Sequence, residues 1–284
     1  MSNGASIGMR KLWKRFFRRL IQSFNFELPR SFHGKTIRIP VLAGIKVGIH
    51  TEEWMLGVLE LLFRQRPGAF IDIGANLGQT LLKVKHLDPE REYVGFEPNP
   101  ICINYLRRLI QCNRYRATLV PVGVGNLNDV LRLVMYGNNA ADPAASMVPA
   151  FRADRSTTGE IMVPVFRFEK LLNFIPERVA IVKIDVEGAE LEVLQGMGDF
   201  LQSRSPLILF EVLPVYTAEN HMRLDRQTKV EALLRRLNYV VFRVRKDAYG
   251  AYAGLGQITS LGIHGDLNQC DYVGVPAAQV AEFA

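Results

Sequence analysis

The residues best able to do chemistry lie in two acid-bearing stretches. The first is Phe70-Ile71-Asp72-Ile73-Gly74-Ala75-Asn76-Leu77-Gly78, an apolar run that passes into a turn carrying two glycines. Glycine lets a backbone turn tightly and approach a ligand closely, and the helix expected next offers unpaired N–H groups. Nineteen residues beyond Gly78, a second apolar run ends in Glu97, followed by Pro98 and Asn99. An acid at that place accepts hydrogen bonds from both hydroxyls of a ribose, so the two motifs together point to a nucleoside-containing cofactor.

Which cofactor follows from the details. The dinucleotide pattern G-x-G-x-x-G is absent; the sequence reads D-x-G-x-N-x-G, with Asn76 at the middle glycine position. No G-K-[ST] follows, which excludes a P-loop. Asp72, expected inside the turn, would repel a pyrophosphate but suits a cofactor with a sulfonium and an ammonium group. S-adenosylmethionine (SAM) has both. An NAD-dependent sugar oxidoreductase is the competing enzyme reading, weakened by the missing glycine.

The second stretch is Val182-Lys183-Ile184-Asp185-Val186-Glu187-Gly188-Ala189-Glu190-Leu191-Glu192-Val193-Leu194-Gln195-Gly196. An apolar strand here delivers Lys183, Asp185 and Glu187 at its carboxyl end, where open α/β sheets bind ligands. Period-2 spacing puts all three on one side while the strand stays extended. Glu190 and Glu192 fall in the first turn of the following helix and suit its dipole. With SAM as the cofactor the sulfonium is already a good leaving group, so the chain has chiefly to align an acceptor and, where that acceptor is an alcohol, to place a base near it. The candidate bases are Asp185, Glu187, Glu211 at the end of the next apolar run, and His221. Asp185, Glu187 and Glu211 could also hold one Mg²⁺ with waters, as a lesser option; no dedicated metal site is expected. His50, His221 and His264 otherwise read as isolated, structural or solvated histidines.

DIGANLG, GFEPNP and VKIDVEGAELEVLQG, in that order and spacing, resemble the FkbM family of SAM-dependent methyltransferases over roughly residues 52–245. The resemblance implies an α/β fold with a doubly wound, mostly parallel seven-stranded sheet of the Rossmann-like class I type. Its antiparallel closing strand pair would come from residues 239–275. It also implies that Asp72, Gly74, Ala75, Asn76 and Gly78 surround the methionine part of SAM. Glu97 would hold the ribose, Pro98 and Asn99 would flank the adenine, and Gly123 would lie on the adenine-side loop 122–125. Asp185 and Glu187 would face the transferable methyl and the acceptor. The acceptor class it suggests is a hydroxyl on a glycan, glycolipid or polyketide-like molecule.

Alternating elements must position these groups. Residues 52–66 read as a helix ended by Pro67-Gly68. Apolar runs at 69–73, 93–96, 118–122, 179–184 and 207–210 have strand length and do not alternate, as expected for strands covered on both faces. Helical stretches fall at 78–87, 99–113, 188–197 and 225–237, so the order is β and α in turn, a parallel doubly wound sheet. Strand-like runs at 239–244 and 272–275 close the chain, separated by a glycine-rich loop. Residues 137–160, rich in Gly, Ala, Pro, Ser and Asn, read as a long irregular insertion that could form part of a substrate lid.

Charge is unevenly placed. Residues 1–50 hold ten basic residues and one acid, while the other 234 hold 25 basic and 27 acidic, so the overall +7 belongs to the N-terminal extension. A uniformly basic nucleic-acid binder is disfavoured. Within the extension, residues 9–24 read as a basic amphipathic helix, with Trp13, Phe16, Phe17 and Leu20 opposite Arg10, Lys11, Lys14 and Arg18. The expected role is peripheral membrane contact, beside packing on protein. The domain division expected is an extension at 1–50 and a SAM-dependent methyltransferase domain at 51–284, cytoplasmic and peripheral on the inner membrane face. The rest of the extension, with Gly34, Pro40, Gly44 and Gly48, reads as a β-rich lead-in. Three cysteines without a zinc-ligand spacing argue against a disulfide scaffold or structural zinc. A silent SAM-binding protein recruited to membranes is the remaining reading from another functional class.

Overall fold

The computed structural model describes residues 24–137, 141–148, 151 and 155–283. The basic helix expected at 9–24 therefore lies, but for Phe24, outside the described residues. The β-rich lead-in is a hairpin, β1 (Phe26–Phe32) against β2 (Lys35–Val41). His33 and Gly34 form its two-residue turn, both with positive φ (45° and 81°), the backbone that matches the twist of paired strands. Ile37, Ile39 and Val41 bury one side of β2.

Helix α1 (Trp54–Gln65) buries Trp54, Met55, Val58, Leu59 and Leu62, one stripe at helical spacing, and stops before Pro67-Gly68. Next come β3 (Ala69–Ile73), α2 (Gln79–Leu87), β4 (Tyr93–Phe96), α3 (Pro100–Asn113) and β5 (Thr118–Val120). The hairpin docks on α3. Tyr105 donates its hydroxyl to the Pro40 carbonyl and accepts the Val47 N–H, and Asn113 brackets the Arg38 backbone with both ends of its amide.

A smaller sheet follows. It contains β6 (Gly123–Gly125), β7 (Asp129–Met135) and β8 (Gly159–Arg167), with β8 in the middle. The main sheet resumes with β9 (Val179–Ile184), after which come the short helices α4 (Glu190–Gly196) and α5 (Gly198–Arg204). Strand β10 (Leu207–Glu211), α6 (His221–Arg236), β11 (Tyr239–Lys246), β12 (Tyr252–Ile258) and β13 (Asp271–Pro276) complete the chain.

The main sheet has the order β12-β11-β13-β10-β9-β3-β4-β5. Its seven expected strands are present, mostly parallel, and β13 runs antiparallel between β10 and β11. An eighth strand, β12, extends the edge by pairing with β11, in the glycine-rich segment expected to be loop. Its glycines hide the apolar signal, while main-chain pairing to β11 needs no side chain. One hydrophobic cluster, including Phe32, Leu59, Leu81 and Leu106, lies between α1, α2, α3, the hairpin and one sheet face. A second, including Leu194, Leu201, Val230 and Phe168, covers the other face. This is the doubly wound arrangement.

Strand β3 pairs with β4 on one side and β9 on the other, so the strand order reverses there. The carboxyl ends of β3 and β9 thus flank the switch-point crevice where sheets of this type bind ligands. The register also sets Asp72 directly opposite Lys183.

Candidate active site

Three strand ends are stitched together at the crevice. The N–H groups of Gly74 and Ala75 both donate to the Phe96 carbonyl, at 3.0 and 3.1 Å, and the Asp185 N–H donates to the Ile73 carbonyl at 3.0 Å. Gly74 has φ 87°, and a Cβ there would sit 1.8 Å from the Asp185 carbonyl oxygen. No other residue fits. The glycine of this turn is thus needed as much for the close approach of β3 to the segment after β9 as for a ligand.

Glu97 leaves the end of β4 and turns back over the same crevice. Its carboxylate accepts the Asn76 N–H at 2.9 Å on one oxygen and the Asn99 N–H at 2.8 Å on the other. Burial pushes its pKa up to about 7, against the lowering effect of those two N–H groups. Asn76 holds the bend at φ 45°, and its side-chain oxygen accepts the Leu77 N–H. Asn99 caps α3 by accepting the Ile101 N–H at 2.9 Å.

A single cavity runs from these groups to the end of β9. Gly74, Asn76, Glu97, Pro98 and Asn99 line one part of it. Gly123, Asp185 and Glu187 line the rest, so eight of the sequence-derived site residues meet there. Cys102, Asp142 and Met147 also line it and were not anticipated. Cys102 carries no signal, being a buried residue on the inner face of a helix. Asp142 and Met147 come from the stretch read as an irregular insertion. Asp142 gathers the N–H groups of Tyr136, Gly137 and Ala144, and Ser146 donates its hydroxyl to the Glu187 carbonyl at 2.7 Å. Phe151 covers Gly188, where a Cβ would meet the ring at 2.6 Å, and Arg223 lies over the same ring, 4.6 Å from its centroid. The described part of this stretch therefore forms a wall of the cavity.

Five expected residues lie elsewhere. Asp72 stands inside β3, fully buried, rather than in the turn. It accepts the Tyr93 hydroxyl and pairs with Lys183 at 3.4 Å, and Lys183 also binds Asp185 at 3.0 Å. Burial raises the Asp72 pKa despite Lys183. Burial opposes the charge on Lys183, but Asp185 and Asp72 outweigh it and hold the ammonium form. Ala75 is buried against Gly95, and Gly78 seats α2 on α3, where a Cβ would meet Leu109 and Leu106 at 2.8 and 2.9 Å. His221 is exposed as the first residue of α6. Glu211 ends β10, beside the cavity but not in its lining.

The expectation that Lys183, Asp185 and Glu187 share one side of an extended strand is corrected by the backbone. Strand β9 ends at Ile184, and Glu187 and Gly188 have φ 52° and 105°. Only Lys183 and Asp185 meet; Glu187 reaches the cavity through the turn.

Acidic charge accumulates on this rim. Burial, together with Asp185, Asp271, Glu187 and Glu190, pushes Glu211 up to about 10. Glu190, which accepts the Gly188 N–H at 2.9 Å, is pushed up to about 7 by burial. Asp271, ion-paired with Lys246, stands at about 6 for the same reason. Among the described residues, Asp185, Glu187 and Glu211 do not form a group whose ligand atoms all lie within 4.8 Å of one another. The donor set suits a nucleoside that carries positive charge: a two-oxygen acceptor at one end, carboxylates at the other, and a glycine cradle between them.

Comparison with known proteins agrees with that chemistry. Methyltransferase 1 of Beauveria bassiana (strain ARSEF 2860) is 28% identical over 144 residues, covering 45% of this chain and 58% of that protein. Methyltransferase sdnD of Sordaria araneosa is 28% identical over 157 residues, covering 45% and 60%. The chain thus spans less than two thirds of either relative. The solved FkbM methyltransferase from Methylobacillus flagellatus KT superposes with a TM-score of 0.45 at 16% identity, over 73% of this chain and 43% of that one. The methyltransferase FkbM domain matches residues 72–241, more than half of the sequence and all of the crevice-forming strand ends, and the chain belongs to this family of SAM-dependent methyltransferases.

Proposed function

We propose that this chain transfers the methyl group of SAM to a hydroxyl of a small acceptor, on a glycan, glycolipid or polyketide-like molecule. The observation that carries the proposal is the placement of Glu97 and Asp185 on one cavity at the switch point, with a glycine cradle between them. In this reading Glu97 accepts the ribose hydroxyls, Pro98, Asn99 and Gly123 border the adenine, and Gly74 and Asn76 present backbone to the methionine part. When bound, SAM supplies an electrophilic methyl on a good leaving group. The residues of the chain then have to align the acceptor oxygen and take its proton. Asp185 and Glu187 face that position and are the proposed base and its neighbour. Glu211 lies one strand further along the rim, and its high pKa suits holding a proton rather than removing one. Lys183 positions Asp185. Asp72, Ala75 and Gly78 support the turn from behind.

We assign residues 51–284 to the catalytic unit and residues 1–50 to the extension, whose hairpin packs on that unit. No described helix is long and apolar enough to cross a membrane. The aromatic and basic faces of residues 9–24 support peripheral docking on anionic lipid at the inner membrane face, which would bring the site to a lipid-linked acceptor.

Isothermal titration with SAM and with NAD tests the cofactor; absence of SAM binding at millimolar concentration overturns the proposal. Labelled SAM incubated with a cell lipid and polysaccharide extract then identifies the acceptor. Tight SAM binding with no labelled product would favour the silent recruitment protein. Deleting residues 1–28 should abolish binding to anionic liposomes; unchanged binding defeats the docking role.

A further inference from the structure

Outside the cavity, one cluster of ligating side chains stands at the junction between extension and body. His33 lies in the β1–β2 turn, His50 in the bend before α1, and Glu53 at the N-terminal boundary of α1. Their spacing in sequence, 17 and three residues, does not suggest a site. The fold closes it, so His50 is not the isolated histidine expected from the sequence. Nε2 of His33 lies 3.0 Å from one Glu53 oxygen, and Nδ1 of His50 lies 3.1 Å from the other. One ligand atom from each of the three falls within 4.8 Å of the others.

We propose that His33, His50 and Glu53 form a binding site for a borderline divalent metal ion of the Zn²⁺ type, which pins the N-terminal hairpin to the start of α1. Two imidazole nitrogens and a carboxylate are a donor set matched to Zn²⁺ rather than to Ca²⁺ or Mg²⁺. Bonds of about 2.0–2.2 Å in a tetrahedron place donors about 3.4 Å apart. The 3.0 and 3.1 Å contacts run to different oxygens of Glu53, so one separation is already shorter than that, and closing the others, which lie within 4.8 Å, calls for rotation of the half-exposed side chains around a shared ion. Three protein ligands leave a fourth position to water.

The surroundings hold the ligands in place. Phe32 packs edge-on against the His33 ring with centroids 4.6 Å apart, and the ring of His86 lies 5.4 Å from it on another side. Lys35 is the opposing charge, and it is engaged with the His86 carbonyl at 2.7 Å. The site is distant in sequence and chemistry from the SAM cavity and does not rest on the methyltransferase reading.

The test is equilibrium dialysis of the chelator-treated full chain with Zn²⁺, together with Co²⁺ as a visible probe and a thermal melt. The expected result is one ion per chain, Co²⁺ d–d absorption, and a melting temperature raised by Zn²⁺. His33→Asn preserves the turn, since asparagine is favoured at that position of a two-residue hairpin loop. His33→Asn, His50→Gln and Glu53→Gln should each weaken binding by about 10- to 100-fold or more, the loss seen even for residues that only support a ligand. The proposal is overturned if the wild type binds no stoichiometric ion, in which case the trio is only a hydrogen-bonded anchor. It is equally overturned if all three variants bind as the wild type does, which would place the ion elsewhere.

Discussion

Replacing Gly74 by alanine should damage this protein far more than the same change at Gly250, and the difference can be worked out from the backbone. Both glycines have positive φ, 87° and 77°. A left-handed backbone costs an L-residue roughly 1–2 kcal/mol at either position. At Gly250, in the turn between β11 and β12, nothing lies within 4 Å of the added Cβ, so that strain is the whole effect. At Gly74 the Cβ would meet the Asp185 carbonyl oxygen at 1.8 Å, against an ordinary contact of 3.4 Å or more. The obstacle is backbone, anchored by the Asp185 N–H bond to Ile73, so β3 and the segment after β9 must separate by more than 1 Å. Overpacking of that kind adds about 1–3 kcal/mol. The expected losses are therefore about 2–5 kcal/mol for Gly74→Ala and about 1–2 for Gly250→Ala. At about 2–4 °C per kcal/mol, the first variant melts about 4–20 °C lower, and the second about 2–8 °C lower. Urea denaturation and thermal melts measure both. Equal losses at the two sites would refute the close-approach argument. Gly74→Ala should also lose SAM binding at temperatures where it remains folded, because Asp185 moves with its carbonyl.

Glu97→Gln should weaken SAM binding by about 10- to 100-fold in isothermal titration, since charge-assisted hydrogen bonds to the ribose contribute about 1.5–3 kcal/mol each. An unchanged affinity would remove Glu97 from the cofactor site. Lys183→Met leaves Asp72 and Asp185 without their shared cation and should cost about 3–5 kcal/mol in urea denaturation. Adding Asp72→Asn should restore part of that, and strict additivity would show that the pair does not interact. Glu190 has a folded pKa of about 7 against an ordinary 4.5, so the folded chain keeps a proton that the unfolded chain releases. Stability from this group is present below pH 4.5 and falls as pH rises to about 7, by on the order of 3 kcal/mol. Glu190→Gln should flatten that decline between pH 5 and 8; an unaltered pH profile would show that Glu190 ionises freely.

Most of the sheet was readable in the sequence because its strands are buried on both faces. Continuous apolar runs such as Val179–Ile184 have few other interpretations when helices separate them. The cavity ends Asp185, Glu187 and Glu97 were legible for the same reason: acids that follow wholly apolar strands need a purpose. What escaped were elements stabilised by main-chain pairing rather than by side-chain pattern. Strand β12 carries three small residues in seven, and β6 is Gly-Val-Gly. Neither has an apolar period to detect.

The sequence by itself determined the order of elements, the sheet type, the family motifs and the uneven charge, because these depend on residue type and on separations within one segment. Tertiary structure decided everything that depends on which distant segments meet. It turned Asp72 inward to Lys183 across a strand pair, since register is set by sheet pairing. It made Gly74 a packing requirement, gave Glu211 its high pKa through burial beside four other acids, and folded part of the 137–160 stretch onto the cavity. It also brought His33 and His50 to one carboxylate. Spacing along the chain says nothing of that contact, because it exists only once the hairpin has docked.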